Sequence, residues 1–280
     1  MRRITLLCSL AFSLLVCWQL RAEEDATEDR AARQERLKVA REHVGKMEMR
    51  LARGDDAVEL VDAPLLAFGD SARSNENGTL WAFGAQGRPL AVLELYQYTE
   101  GTRYWVNVAT LTSTTLVSMK TPIVTKWTPA KPQIKWEKLP DAPPPAAKEL
   151  QRTRQLKELA RRFTGHEFWD PDNSRFELRL LVQPVHRYSD KSAGIHDGAI
   201  FALAHGTNPE VLMMIEAQGK SPEESQWHYG LVRMGSAEMH ITLDGKAVWK
   251  EGRTPGVAGE SVDPYWLFAS PSTAAAEEEP

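Results

Sequence analysis

The apolar positions of this chain fall into two kinds of run. Between residues 25 and 54 they recur in alternating steps of three and four, at Leu37, Ala40, Val44, Met47 and Leu51. This predicts an amphipathic helix, with Asp25 and Glu28 as a capping box and Gly54 as its stop. Beyond it lie short segments rich in Val, Leu, Tyr, Trp and Thr, at about 58–68, 79–84, 89–98, 103–111, 114–120 and 123–128. Gly, Pro and Asn separate them, as in an antiparallel meander. Residues 129–147 hold six prolines, which reads as a stiff connector. A second helical pattern follows at 147–164, through Leu150, Leu156, Leu159, Ala160 and Phe163, stopped by Gly165. Strand-like runs then resume from Phe176 to Trp249.

The restart is in register. A shift of 120 residues superimposes Ala40 on Ala160, Gly45 on Gly165, Pro64 on Pro184, Asp70 on Asp190, Gly78 on Gly198 and Pro89 on Pro209. It also brings Phe68 onto Tyr188 and Trp81 onto Phe201. An insertion near residues 220–223 moves the shift to 122 and aligns Trp105 with Trp227 and Trp127 with Trp249. Glycine, proline and tryptophan fix turns and core volumes, so their coincidence carries more than an average match. The expected fold is α+β: two tandem duplicated units, each an amphipathic helix packed on a curved antiparallel β-meander. By analogy of architecture this is a cystatin-like or nuclear-transport-factor-like half-barrel. The expected organisation is a signal peptide at 1–22, a first unit at 25–128, the linker at 129–147, a second unit at 148–270 and a disordered acidic tail at 271–280.

The segment assigned as a signal has Arg2 and Arg3 before an apolar run from Ile4 to Leu20, with Ala22 before the cut. The protein is therefore expected to be exported, periplasmic or extracellular, or held by an N-terminal anchor if the segment is retained. Without it the chain keeps 31 basic against 38 acidic residues, a charge of −7, and neither Cys8 nor Cys17. Such a balance offers no electrostatic footprint for nucleic acid. The lack of cysteine removes disulfides, thiolate zinc sites and cysteine nucleophiles. No membrane span remains after signal cleavage.

The chemistry-bearing motifs are few. Gly69-Asp70-Ser71 after an apolar run resembles the nucleophile block of the GDSL esterases and lipases, but the Asp-x-x-His that would orient a general base is absent, and Lys191 stands where the second copy would need the serine. Asp170, Asp172 and Ser174 open like a calcium loop, yet Arg175 and Leu181 occupy the positions of its glycine and bidentate glutamate. Asn77-Gly78-Thr79 reads as a turn.

Six of the seven histidines lie in the second half. If a hairpin turns near Gly235, His240 lies diagonally from His228 on a face shared with Glu238, and these three are the candidate ligands for a divalent metal. No other cofactor is called for. Among the tryptophans, Trp136 and Trp266 fall outside the matched set and are the candidates for stacking on a ligand.

The strings Phe168-Trp169-Asp170-Pro171, Pro184-Val185-His186-Arg187-Tyr188, Asp197-Gly198-Ala199-Ile200-Phe201-Ala202 and Gly206-Thr207-Asn208-Pro209-Glu210 resemble a group of uncharacterised exported proteins of planctomycete-type bacteria, over about residues 160–250. The resemblance implies bacterial export and no mechanism. The functional expectation is an exported, non-enzymatic binding or scaffold protein of the bacterial envelope, acting on a protein or small-molecule partner. The alternative is a hydrolase or metal-dependent enzyme with its site in the histidine-rich second unit.

Overall fold

The computed structural model describes residues 30–70, 75–98, 103–123, 125–169 and 172–272. The assigned signal and Ser71 lie outside the described residues, as does Asp170 of the calcium-like run. The chain divides into two compact units, Met1–Glu42 and His43–Pro280. A helix, α1, is described over 30–44, and residues 30–42 of it belong to the first unit, with a surface ion pair between Lys38 and Glu35.

In the second unit the strands are β1 (Glu48–Leu51), β2 (Leu66–Asp70), β3 (Asn75–Phe83), β4 (Ala91–Tyr98), β5 (Tyr104–Leu111), β6 (Val117–Lys120), β7 (Lys126–Trp127) and β8 (Glu137–Lys138). The helix α2 (Glu149–Ala160) follows. After it come β9 (Phe163–Trp169), β10 (Ser174–Asp190), β11 (Ile195–His205), β12 (Asn208–Gln218), β13 (Gln226–Arg233), β14 (Glu238–Leu243), β15 (Lys246–Glu251) and β16 (Tyr265–Pro271). They form three antiparallel sheets, ordered β1-β6-β7, β15-β14-β9-β10-β11-β12-β13-β8 and β16-β5-β4-β3-β2.

Side-chain alternation explains how the two larger sheets meet. Along β11, β12 and β13, one face carries Phe201, Leu203, Val211, Met213, Ile215, Trp227 and Leu231. These close a core with Leu156, Leu159 and Ala160 of α2 and with Met239, Ile241 and Leu243 of β14. Because β14 reaches the same core from the far end of the sheet, the eight strands must curl around it, which makes the half-barrel. The opposite face, with Ile200, Ala202, Leu212, Met214 and Val232, packs on Leu80, Val92 and Val108 of the five-stranded sheet. Strands buried on both faces read as nearly unbroken apolar runs, as in the sequence Val211 to Ile215. In β14, by contrast, buried positions alternate strictly with half-exposed ones.

β10 bends from one neighbour to the next. Its residues Ser174–Leu178 pair with β9, and from Arg179 onward it pairs with β11. The register slips between Leu181 and His186, which leaves Pro184 in a bulge where its missing N–H costs no ladder bond.

The expected architecture is corrected here. The molecule is mostly β, with 50% of residues in strands and 12% in helix, and large curled sheets replace two tandem helix-plus-meander units. The half-barrel is present, but once. Strands also cross the expected division: β16, from the carboxyl end, is the edge of the sheet built from residues 66–111, and β8, from the proline-rich run, is the edge of the eight-stranded sheet. That run buries Ile134 and Leu139. Local pairings do recur at the 120-residue shift, since Phe68 faces Gly78 across β2 and β3 as Tyr188 faces Gly198 across β10 and β11. The first helix is shorter than the periodicity predicts, because the chain leaves it after residue 44, and Met49 and Leu51 belong to a strand rather than to a last turn. Asn77 is not in a turn; with φ at 62° it sits in a bulge inside β3. Of the expected tail, Pro271 ends β16 and Ser272 is buried, while residues 273–280 lie outside the described residues.

Glycine is required at 198 by close approach. A Cβ there would lie 2.6–3.0 Å from three carbons of the Tyr188 ring. Gly198→Ala is expected to lower the unfolding free energy by about 1–3 kcal/mol, the usual cost of overpacking, as read from urea unfolding. A change indistinguishable from zero would show that the ring does not lie over this glycine.

Candidate functional site

The histidines are sorted by strand order. β13 and β14 are consecutive in sequence but not neighbours in the sheet, because β14 pairs with β9 and β15. The hairpin that would join His228 to His240 therefore does not form. His228 faces Glu216 and Lys138, and its Nδ1 lies 3.1 Å from the Gln226 carbonyl oxygen. His240 is instead directly opposite His166 of β9, with the two rings stacked at 4.8 Å and 13°. Glu238 does join His240: its Oε1 accepts from His240 Nε2 at 2.8 Å and from Lys250 Nζ at 2.9 Å. Among the described residues no group of three or more His, Cys, Asp or Glu side chains is arranged to hold an ion. At the calcium-like run, Asp172 Oδ1 accepts the Ser174 N–H at 3.0 Å and Asn173 has φ 58°, which is turn geometry.

The two candidate stacking tryptophans are covered. Trp266 of β16 is 1% exposed and lies against the Phe268 ring. Trp136 is half-buried, but the Arg88 guanidinium sits 4.3 Å over its ring. That guanidinium also makes two bonds to the fully buried Glu216, Nε to Oε1 at 2.7 Å and Nη2 to Oε2 at 2.6 Å. Tyr188 Oη donates to the same carboxylate at 2.6 Å and Gln218 Nε2 at 2.7 Å. Burial, and then the Glu216 charge, push the Tyr188 phenol well above its ordinary value, so it stays a protonated donor. Arg88 comes from the loop between β3 and β4, so the network ties the two large sheets together.

One site that opens to solvent lies where the half-barrel fails to close. The terminal strands of the eight-stranded sheet are β8 and β15, and residues from both edges line a cleft of about 230 Å³. Lys135 and Glu137 come from one side, Trp249, Lys250 and Glu251 from the other, and Tyr229 and Leu231 form the wall between them. Tyr229 is placed twice over, edge-on to Phe163 at 5.0 Å and donating from Oη to Glu137 Oε2 at 2.8 Å. Burial and Glu137 raise its phenol above the ordinary value, which keeps it a donor throughout the neutral range.

Trp249 is the residue that sequence reasoning misplaced. Alignment with Trp127 marked both as core, and Trp127 is indeed fully buried with its Nε1 donating to the Asp263 carbonyl at 2.7 Å. Trp249 is only half-buried and lines the cleft. The difference follows from position: β15 is a sheet edge, so a ring there has solvent on one side. The lining holds aromatic surface, an amide in Gln133, two ammonium groups and two carboxylates, with no serine or histidine. Such a set can stack on a flat ligand and hydrogen-bond its rim. Comparison with protein-family models, with characterised proteins and with solved structures finds no match to this chain.

Proposed function

We propose that this protein is an exported, non-enzymatic binding protein of the bacterial envelope, and that its ligand site is the cleft between β8 and β15. Export rests on the basic start and apolar run of residues 2–20. The observation that carries the binding reading is the half-buried Trp249, set beside Tyr229 among polar groups of both charges. An indole flanked by two carboxylates, one amide and two ammonium groups suits a small ligand with an apolar face and a hydroxylated rim, such as one saccharide ring. The ligand-stacking role thus moves from Trp136 and Trp266 to Trp249.

Titrating the full chain with a panel of mono- and oligosaccharides, followed by calorimetry and tryptophan emission, is expected to show saturable binding. Trp249→Ala should weaken it at least tenfold, or about 1.4 kcal/mol. No binding across the panel, or equal binding by the variant, would remove this reading. The hydrolase alternative has one observation in its favour, since Glu137 and Glu251 both reach the cleft and paired carboxylates are the machinery of glycoside cleavage. Turnover of chromogenic glycosides that is lost in Glu251→Gln would favour it over simple binding.

A further inference from the structure

The small sheet β1-β6-β7 sets like charges against each other on its outward face. Met49, Met119 and Trp127 lie opposite one another across its three strands and are buried. Side chains alternate along a strand, so the next row, Glu48, Lys120 and Lys126, stands on the other face, where all three are exposed. In that row Lys120 is directly opposite Lys126, which holds their Cβ atoms about 4.5–5.5 Å apart, and like charges so placed weaken a sheet. A slip of register cannot relieve them. The Thr121 N–H donates to the Thr125 carbonyl oxygen at 3.0 Å and the two hydroxyls are 2.7 Å apart, which closes the connection between β6 and β7.

Lys46 and Glu260 bring two more charges to the same place. Lys46 lies two residues before Glu48, and its N–H donates to the His43 carbonyl oxygen in the turn out of α1. Glu260 precedes Ser261, which bridges Trp127 in parallel and donates its N–H to the Lys126 carbonyl oxygen at 3.0 Å. With Thr121 and Pro122, these five charged residues line a cleft of about 560 Å³ that opens to solvent. Three ammonium groups thus stand against two carboxylates, and among the described residues none of the five is engaged in an ion pair. One oxyanion over Lys120 and Lys126 would accept from both ammonium groups and turn their repulsion into a shared attraction. The carboxylates of Glu48 and Glu260 accept only, so they suit hydroxyl donors beside that anion.

The geometry points to an anion site at Lys120 and Lys126, completed by Lys46, that takes the phosphate of a hydroxylated ester whose hydroxyls donate to Glu48 and Glu260. The volume suits an organic ligand better than a bare phosphate ion. The chain's net charge of −4 disfavours a nucleic acid as the source of that phosphate. The site lies on a different sheet from the cleft between β8 and β15 and is independent of it.

The test is calorimetric titration of the full chain with glycerol 3-phosphate and with inorganic phosphate, at neutral pH and low salt. One site is expected, with the ester at least threefold tighter. Lys120→Met and Lys126→Met should each weaken ester binding at least fivefold, while Lys191→Met, at a surface lysine elsewhere, leaves it unchanged. Glu48→Gln should tighten inorganic phosphate, because a repelling charge is gone, and erase the advantage of the ester. Lys126→Glu places a carboxylate on each side of Lys120, so it should raise the melting temperature of the free protein and abolish binding, which separates loss of the site from loss of the fold. Co-sedimentation with vesicles of phosphatidylglycerol in phosphatidylcholine, lost in Lys126→Glu, would identify the ester as a lipid headgroup; binding of the soluble ester alone would identify a free one. No binding of ester or vesicles by the wild type, binding retained in Lys126→Glu, or a melting temperature of that variant below the wild type's would overturn the assignment.

Discussion

Replacing Arg88 with alanine is expected to lower the unfolding free energy by about 3–5 kcal/mol, the cost of leaving a buried carboxylate without its cation. Glu216 is 0% exposed and its partner's side chain only 16%, so water cannot stand in for the lost guanidinium. Tyr188 and Gln218 would still donate to the carboxylate, but neither supplies charge. The substitution also removes the cation from the face of Trp136. Adding Glu216→Gln to Arg88→Ala should recover part of the loss, because the orphaned charge disappears with it. Chemical denaturation of the two variants measures both effects. A loss below about 1 kcal/mol in Arg88→Ala, the size of an exposed pair, would mean that the pair is solvated.

The second large effect is a loss of stability in mild acid through one residue. His43 is 4% exposed, stacked on Trp105 at 5.3 Å, with Nε2 at 3.0 Å from Ser270 Oγ and 3.3 Å from Asn107 Oδ1. Burial outweighs the Asn107 hydrogen bond and lowers its pKa from 6.5 to about 4. The folded protein therefore holds this ring neutral while the unfolded chain protonates it. Its contribution is complete above pH 6.5 and is lost as the pH falls toward 4, about 3 kcal/mol in all. Buried carboxylates lose stability over part of the same range, so the informative quantity is a difference. Urea unfolding at pH 7 and pH 4 should show a smaller drop in His43→Gln than in the wild type, by about that amount. Identical drops would show that His43 titrates normally in the fold.

Local pattern was readable from the chain, and long-range pairing was not. Periods of three and four placed α2 within two or three residues at its start, and apolar density found most of β3, β4 and β5. The 120-residue shift found the glycines that lie under Phe68 and Tyr188. What failed were inferences about which strand lies beside which. Consecutive strands were taken as a meander, so β14 was set against β13. In the structure β9, some seventy residues earlier, takes that place. The same step put His228 beside His240 and hid His166. The proline-rich run looked like a spacer because proline breaks ladders, yet Glu137 and Lys138 lie between the prolines and can pair with β13. Trp249 was misjudged because a repeat carries residue type but not whether the strand ends up at a sheet edge.

The position of β16 bears on how this chain is made. The sheet that begins with Leu66 receives the strand beside β5 only from Tyr265–Pro271, through Phe268 opposite Asn107 and Trp266 opposite Ala109. On the ribosome, β2 to β5 emerge long before the segment that covers them. The nascent polypeptide therefore carries an uncapped sheet margin while the roughly 150 residues between β5 and β16 are added, and that sheet can be completed only once β16 has emerged.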